Sequence, residues 1–275
     1  MAAEKKTYPF GQSIIHYTRF GTGPKPAICF HGYGEDCTSF SFLEKCAGNQ
    51  YTFFAPDLPF HGNTDWKQGL NMTAEELTAI VKGILEENRP EYGWQALTLI
   101  GYSLGGRMVL SLYSQIYKQT DRLVLMAPDG LKVNFWYWLA TQTSVGNRFF
   151  ALTMKHPGWF FGLLKMLNKM KMVNTSIFKF VNYYIGDKEV RRLLYARWTT
   201  LRKIKPRLSA VKEHIRTNHT SVRLIYGKHD RIILSSVGEK FRRGIEASCT
   251  ISIIPSGHRI LHENHAEGIL PALLH

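Results

Sequence analysis

Short apolar runs separated by polar turns set the pattern of this chain. Pro26-Ala27-Ile28-Cys29-Phe30, Tyr51-Thr52-Phe53-Phe54-Ala55, Leu97-Thr98-Leu99-Ile100 and Arg122-Leu123-Val124-Leu125-Met126-Ala127 are such runs. Val222-Arg223-Leu224-Ile225-Tyr226 and Thr250-Ile251-Ser252-Ile253-Ile254 continue the series. Their brevity and near-continuous apolar character predict strands buried on both faces, as in a parallel sheet covered by helices. Ser13–Phe20 reads as a further strand ending in the turn Gly21-Thr22-Gly23-Pro24. Helical spacing fills the intervals. Thr73-Ala74-Glu75-Glu76 is a capping box for a helix running to about Asn88, with Leu77, Ile80, Val81, Ile84 and Leu85 on one face. Strands alternating with helices predict an α/β fold with a mostly parallel central sheet and helices on both faces.

One junction stands apart. The strand Leu97–Ile100 runs into Gly101-Tyr102-Ser103-Leu104-Gly105-Gly106, and a helical pattern follows at once from Met108. A strand that turns this sharply into a helix brings backbones too close for a Cβ, so glycines flank the serine. The turn lifts the Ser103 hydroxyl above the sheet, with the unpaired N–H groups and positive dipole end of a helix behind it. G-x-S-x-G in this setting is the pattern of a nucleophile elbow.

A serine hydroxyl is a weak nucleophile near neutral pH. It needs a base, and the base needs a group that fixes its tautomer. In parallel sheets such groups gather at the carboxyl ends of strands. Downstream of Ser103, Tyr226-Gly227-Lys228-His229-Asp230 offers the acid Asp230, and Ile254-Pro255-Ser256-Gly257-His258 offers the base His258. A turn aspartate bonded to its own backbone is the plain structural reading of Asp230. Asp129, after the strand ending at Ala127, is the rival acid. His229 extends away from the acid, and His262 and His265 fall in an expected helix on the surface or behind the site.

The order Ser, Asp, His, together with three further stretches, resembles the α/β-hydrolase superfamily in its single-domain form with an inserted helical cap. Phe30-His31-Gly32-Tyr33-Gly34 is similar to its HG-x oxyanion loop. Asp57-Leu58-Pro59-Phe60-His61-Gly62-Asn63-Thr64-Asp65 is similar to its D-x-P-G-H-G-x-S-D stretch. Gly257 to His265 is similar to its terminal G-H-x-x-x-x-E-x-P. Phe60, Thr64 and His265 depart from the family's glycine, serine and proline. The resemblance implies that the backbone N–H groups of Tyr33 and Leu104 form the oxyanion hole. It also implies that His31 and His61 are structural, and that no metal or organic cofactor takes part. It implies a core of residues 1–130 and 207–275 with a cap of residues 131–206. Ser103 sets the chain apart from dehalogenase and epoxide hydrolase branches, which place an aspartate there.

Charge adds one thing to this picture. The chain carries a net +14, and residues 131–216 hold 17 lysines and arginines against three acids, while the remainder is balanced. The same segment is rich in large apolar groups, among them Phe135, Trp136, Trp138, Phe149, Phe150, Trp159, Phe160, Phe161, Phe178, Phe180, Tyr183 and Tyr184. Gly158–Lys171 reads as a helix with an apolar face and a lysine-rich face. Three readings follow: a helical lid with solvated lysines, a lid that also touches an anionic membrane or amphiphile, and a positive field drawing acidic substrates to the cleft. Basic residues interleaved with buried-type aromatics, without a nucleic-acid motif, argue against nucleic acid.

At 44% hydrophobic and 13% aromatic the chain is globular in composition. The N-terminal residues lack the apolar stretch of a secretory leader, and no apolar run reaches the ~18 residues of a membrane span. Cys29, Cys37, Cys46 and Cys249 show no metal-type spacing, and Cys29 and Cys249 are expected as reduced core residues. A cytoplasmic setting is the simplest expectation. The expected activity is that of a serine hydrolase on a small hydrophobic ester. Thioester, lactone and carbon–carbon bond hydrolysis, or a hydrolase-fold receptor with little turnover, are the alternatives. The sequence leaves the oligomeric state open.

Overall fold

The computed structural model describes residues 3–88, 96–133, 135–170 and 185–274. Its frame is an eight-stranded sheet built from β1 (Glu4–Phe10), β2 (Ser13–Phe20), β3 (Lys25–Phe30), β4 (Tyr51–Pro56), β5 (Leu97–Tyr102), β6 (Thr120–Met126), β7 (Ser221–Gly227) and β8 (Cys249–Ile254). The spatial order is β1-β2-β4-β3-β5-β6-β7-β8. β2 is antiparallel to β1 and β4, and every other pairing is parallel.

The apolar runs explain the parallel part. Every residue of β4 and β5 is buried, which is the environment a strand with two apolar faces requires. β1 is the element that the apolar pattern does not reveal. Its residues alternate between half-buried and exposed, and it carries Glu4, Lys5, Lys6 and Pro9. Charges and a proline are tolerated there because β1 is the outermost strand.

Two helices that pack on each other lie against the sheet. The capping box forms as the sequence predicts: Thr73 N–H donates to Glu76 Oε2 at 2.8 Å, and Glu76 N–H donates to Thr73 Oγ1 at 3.2 Å. The helix behind it, Ala74–Asn88, buries Leu77, Ile80, Val81, Ile84 and Leu85. The helix Leu104–Ile116 is buried along most of its length, with Met108, Val109, Leu110, Leu112 and Tyr113 fully enclosed. Each large apolar side chain buried in this way contributes about 1.5–3 kcal/mol.

The chain lays β4 on one side of β3 and then returns to lay β5 on the other. At such a reversal the loops leaving the two strands part, and a crevice opens at their carboxyl ends. The residues that follow β3 and β5 are His31-Gly32-Tyr33 and Ser103.

The chain divides into two compact units. One spans Met1–Gln68, Met72–Lys132 and Ile204–His275, and contains the sheet. The other comprises Gly69–Asn71 and Val133–Lys203 and is helical where described. Its helices are Phe135–Gln142, Ser144–Lys155, Gly158–Lys169 and Lys188–Thr200. Thr143 caps the second, its Oγ1 accepting from Gly146 N–H at 3.0 Å, and Asp187 caps the fourth through Glu189 and Val190 N–H. Aromatic pairs hold the unit together: Tyr137 and Phe150 both meet Trp198, at 5.2 and 5.6 Å between ring centroids. Phe178, Phe180, Tyr183 and Tyr184, like Lys171, lie outside the described residues.

Candidate active site

Ser103 sits at the junction of β5 and the helix Leu104–Ile116, with φ 50° and ψ −114°. This is a conformation that L-residues avoid, and it persists where the surroundings over-determine it. Here three backbone bonds do so. Ser103 N–H donates to Met126 O at 2.9 Å, and Ser103 O accepts from Gly106 N–H at 2.9 Å and Asp129 N–H at 2.8 Å. The glycines have the role their spacing implies. A Cβ on Gly101 would lie 2.6 Å from Gly105 O, and one on Gly105 would run into the Phe30 carbonyl. The second contact seats the start of the helix against the end of β3.

His258 follows β8, and Asp230 follows β7. The two loops are tied to each other by bonds from Lys228 N–H to Ile254 O at 2.8 Å and from His229 N–H to Ser256 O at 2.9 Å. His258 Nδ1 lies 2.7 Å from Asp230 Oδ2, and His258 Nε2 lies 3.1 Å from Ser103 Oγ. A carboxylate only accepts, so Nδ1 carries the proton that it donates to Asp230. In the neutral ring Nε2 is then left to accept from the serine hydroxyl. Asp230 is also the turn aspartate of the plain reading: its Oδ1 accepts from Ile232 and Ile233 N–H at 2.7 and 3.0 Å. One oxygen orders the turn and the other faces His258, and the side chain is fully buried.

The rival acid is engaged elsewhere. Asp129 Oδ2 accepts from Arg107 Nε and Nη2 at 3.0 and 2.6 Å, and its Oδ1 accepts from Gly130 N–H at 2.7 Å. His229 is exposed. His262 and His265 do not stand in a helix, as the sequence suggested. His262 caps a single 3-10 turn, Glu263–His265, by accepting from Asn264 N–H, and His265 Nε2 meets Ser256 Oγ at 3.0 Å. The regular helix starts at Ala266. The short turn intervenes because the loop must first fold back past His258, whose carbonyl accepts from Ile260 N–H at 2.8 Å.

Tyr33 and Leu104 occupy the exits of β3 and β5, which are neighbours in the sheet. Leu104 N–H is the first amide of its helix, where no intrahelical acceptor exists. The β3 loop is tied down by His31. Its Nε2 accepts from Leu58 N–H at 3.1 Å, so its Nδ1 is the nitrogen that donates to Gly32 O at 2.8 Å. His61 bonds Pro59 O through Nδ1 at 2.9 Å and packs its ring against those of His31 and Tyr33.

Two residues of this region escape a sequence reading. Tyr102 donates its hydroxyl to His258 O at 3.0 Å, with the two rings 5.6 Å apart. Burial, then the charges of Glu35 and Asp230, push its phenol up, so it remains a donor. Glu35 lies under the β3 loop and accepts from Gly32 N–H at 3.3 Å. Burial raises its carboxyl above the ordinary value, against the lowering effect of the Gly32 N–H and the charges of Arg259 and His258. Neither residue belongs to a spacing that singles it out. Only the fold brings Tyr102 to His258, while Glu35 turns back on Gly32 within its own loop.

The departures from the family pattern also find their places. Phe60 keeps a left-handed backbone, φ 61°, where the family has glycine. Thr64 supplies a hydroxyl that donates to Asp57 O at 2.9 Å and accepts from His16 N–H at 3.0 Å. Among the described residues, His16, Cys37 and Asp57 form a group that could hold a metal ion. Both Asp57 oxygens are already engaged: Oδ1 accepts from Cys37 N–H at 2.6 Å, and Oδ2 accepts from Asn63 N–H at 2.8 Å and faces His16 Nδ1 at 3.2 Å. The cluster ties β2 to the segments that carry Cys37 and Asp57. Burial raises the Cys37 thiol to about 12. Cys29 and Cys249 are buried free thiols, as expected, and burial raises both.

An eight-stranded, mostly parallel sheet with a serine on a tight strand-to-helix turn after β5 is the α/β-hydrolase fold. Residues 24–265 match the family described as serine aminopeptidase, S33, and the chain belongs to that family of hydrolases. It is similar to the uncharacterized hydrolase YugF of Bacillus subtilis, with 22% identity over 255 residues that cover 90% of this chain and 89% of the relative. A thermophilic esterase from Thermogutta terrifontis shares the fold at a TM-score of 0.63 and 16% identity, covering 100% of this chain and 95% of its own. A 2-hydroxy-6-oxo-6-phenylhexa-2,4-dienoate hydrolase from Rhodococcus sp. strain RHA1 matches at 0.63 and 17%, with 99% and 97% covered. Among the described residues no helix is long and apolar enough to cross a membrane.

Proposed function

We propose that this hydrolase is a serine esterase acting by acyl transfer on small carboxylic esters with a hydrophobic acyl or aryl part. The observation that carries the proposal is the unbroken chain from Ser103 Oγ to His258 Nε2 at 3.1 Å and from His258 Nδ1 to Asp230 Oδ2 at 2.7 Å. In this reading His258 takes the hydroxyl proton as Ser103 Oγ attacks the ester carbonyl. Asp230 stabilises the imidazolium that forms and holds its orientation. The Tyr33 and Leu104 N–H groups receive the developing oxyanion, a contribution of about 3–4 kcal/mol for each such donor. His258 then protonates the leaving alcohol. It next activates a water that attacks the acyl-Ser103 carbonyl and releases the acid. Tyr102 keeps the His258 backbone in place throughout.

The helical unit serves in this proposal as the cap. The four free cysteines fit a reducing, cytoplasmic setting. The reaction class is tested by a panel of p-nitrophenyl esters of increasing acyl length, run beside thioester and vinylogous diketone substrates. The expected result is hydrolysis of the esters with a preference for longer acyl chains. Asp230→Asn is expected to lower kcat by about 10⁴-fold, because its amide would turn the His258 tautomer around. Turnover of the diketone alone would replace the esterase reading with carbon–carbon bond hydrolysis.

A further inference from the structure

Two consecutive helices of the second unit, Ser144–Lys155 and Gly158–Lys169, carry apolar residues that are exposed among the described residues. Val145, Phe149 and Leu152 on the first helix, and Trp159, Leu163 and Met166 on the second, are each 40–79% exposed. At 3.6 residues per turn, each set of three falls within about 60° of arc, so each makes one stripe. The buried apolar members of the same helices, Met154 and Leu164, lie about 170° and 130° round from the stripe centres. The stripes adjoin, since the Phe149 and Trp159 rings lie 5.0 Å apart. An exposed apolar surface built from two aligned stripes exceeds what scattered surface residues produce, and it marks a contact site.

The charges around it name the partner. Arg148, Lys155, Lys165 and Lys169 are exposed, and Ser144 to Met170 contains no acidic residue. At the same helical spacing Arg148, Lys155 and Lys169 line one edge of the stripes, about 70–90° from their centres, and Lys165 lies farther round, at about 130°. An apolar stripe edged by cations, on helices too short and too polar to cross a bilayer, fits the plane of an anionic interface. There the apolar groups enter the headgroup boundary and the cations meet lipid phosphates and carboxylates. We propose that this face docks the protein peripherally on an anionic lipid membrane. A protein partner would have to present a matching apolar and acidic surface. An anionic bilayer supplies both everywhere.

The proposal does not rest on the chemistry of Ser103, and Ser103→Ala is expected to bind membranes as the native chain does. The test is co-sedimentation of the full chain with phosphatidylcholine vesicles, with and without phosphatidylserine, at low and high salt. The expected result is partition onto the anionic vesicles that salt reverses. Arg148→Gln combined with Lys169→Gln is expected to weaken it by roughly 25-fold, about fivefold for each charge removed. Val145→Ser, Leu152→Ser and Met166→Ser together are expected to weaken it without altering the circular dichroism spectrum. Equal, salt-independent partition onto both vesicle types would overturn the proposal, as would no partition at all. A dimer in solution that the three serine substitutions dissolve, without vesicle binding, would assign the face to a second copy instead.

Discussion

Ser103 holds a backbone conformation that favours glycine, and its hydroxyl is the reason to keep a side chain there. Strain of this kind is worth about 1–3 kcal/mol, offset by about 0.5–1 kcal/mol of extra unfolded-state entropy when glycine is introduced. Ser103→Gly is therefore expected to be more stable than Ser103→Ala by about 1 kcal/mol in urea unfolding, although both lack the hydroxyl. Equal stability of the two variants would mean that the elbow stores no strain. Glu35 offers a second test at this scale. Its carboxyl is raised from 4.5 by burial, so the folded protein holds that proton more tightly than the unfolded chain does. The charged form therefore destabilises the fold, and this cost appears as pH rises through the folded value. Glu35→Gln is expected to raise stability near neutral pH and to change nothing below pH 4.5. A gain that is the same at both ends would show that packing, not ionisation, is responsible. Ser103, Asp230 and His258 were legible in the sequence because each closes a strand with glycine nearby. Tyr102 and Glu35 were not: Tyr102 acts on the backbone of a distant loop, and Glu35 turns back on Gly32 of its own loop in no pattern that singles it out.

At the scale of elements, the parallel strands announced themselves by being apolar on both faces, and the helix Ala74–Asn88 announced itself by its capping box. β1 escaped notice because an outer strand needs only one apolar side, and its charges read as a polar terminus. The residues of the His262–His265 stretch permit a helix, and the fold puts a 3-10 turn, Glu263–His265, there before the regular helix starts at Ala266. The loop between β6 and the helical unit illustrates how a candidate acid is ruled in or out by its neighbours. Asp129 clamps the largely buried Arg107 of the helix that follows Ser103. Asp129→Asn is expected to destabilise the protein by about 1–3 kcal/mol, since it weakens a partly buried charge-assisted pair. Ester turnover per folded molecule should remain within a few-fold of the native value. A collapse of turnover in a fully folded Asp129→Asn protein would make Asp129, and not Asp230, the acid that serves His258.

At the scale of the whole molecule, the sheet unit and the helical unit differ in kind. The first holds 23 lysines and arginines against 19 acids and is built on a buried, mostly parallel sheet. The second concentrates the chain's positive charge and leaves aromatic and aliphatic groups exposed on two short helices. The charge shift along the sequence, where acids nearly vanish between residues 131 and 216, overlaps the helical unit and runs past its end at Lys203. The exposed stripes were not legible, because helical spacing alone does not say which apolar face is covered. Catalysis belongs to the first unit in this account, and its centre is the Ser103 hydroxyl activated by His258. A fluorophosphonate probe followed by peptide mass spectrometry addresses that claim directly. The expected result is one adduct per native chain, on Ser103, abolished in Ser103→Ala and strongly slowed in Asp230→Asn. An unlabelled native protein, or a Ser103→Ala protein labelled as readily as the native one, would contradict it.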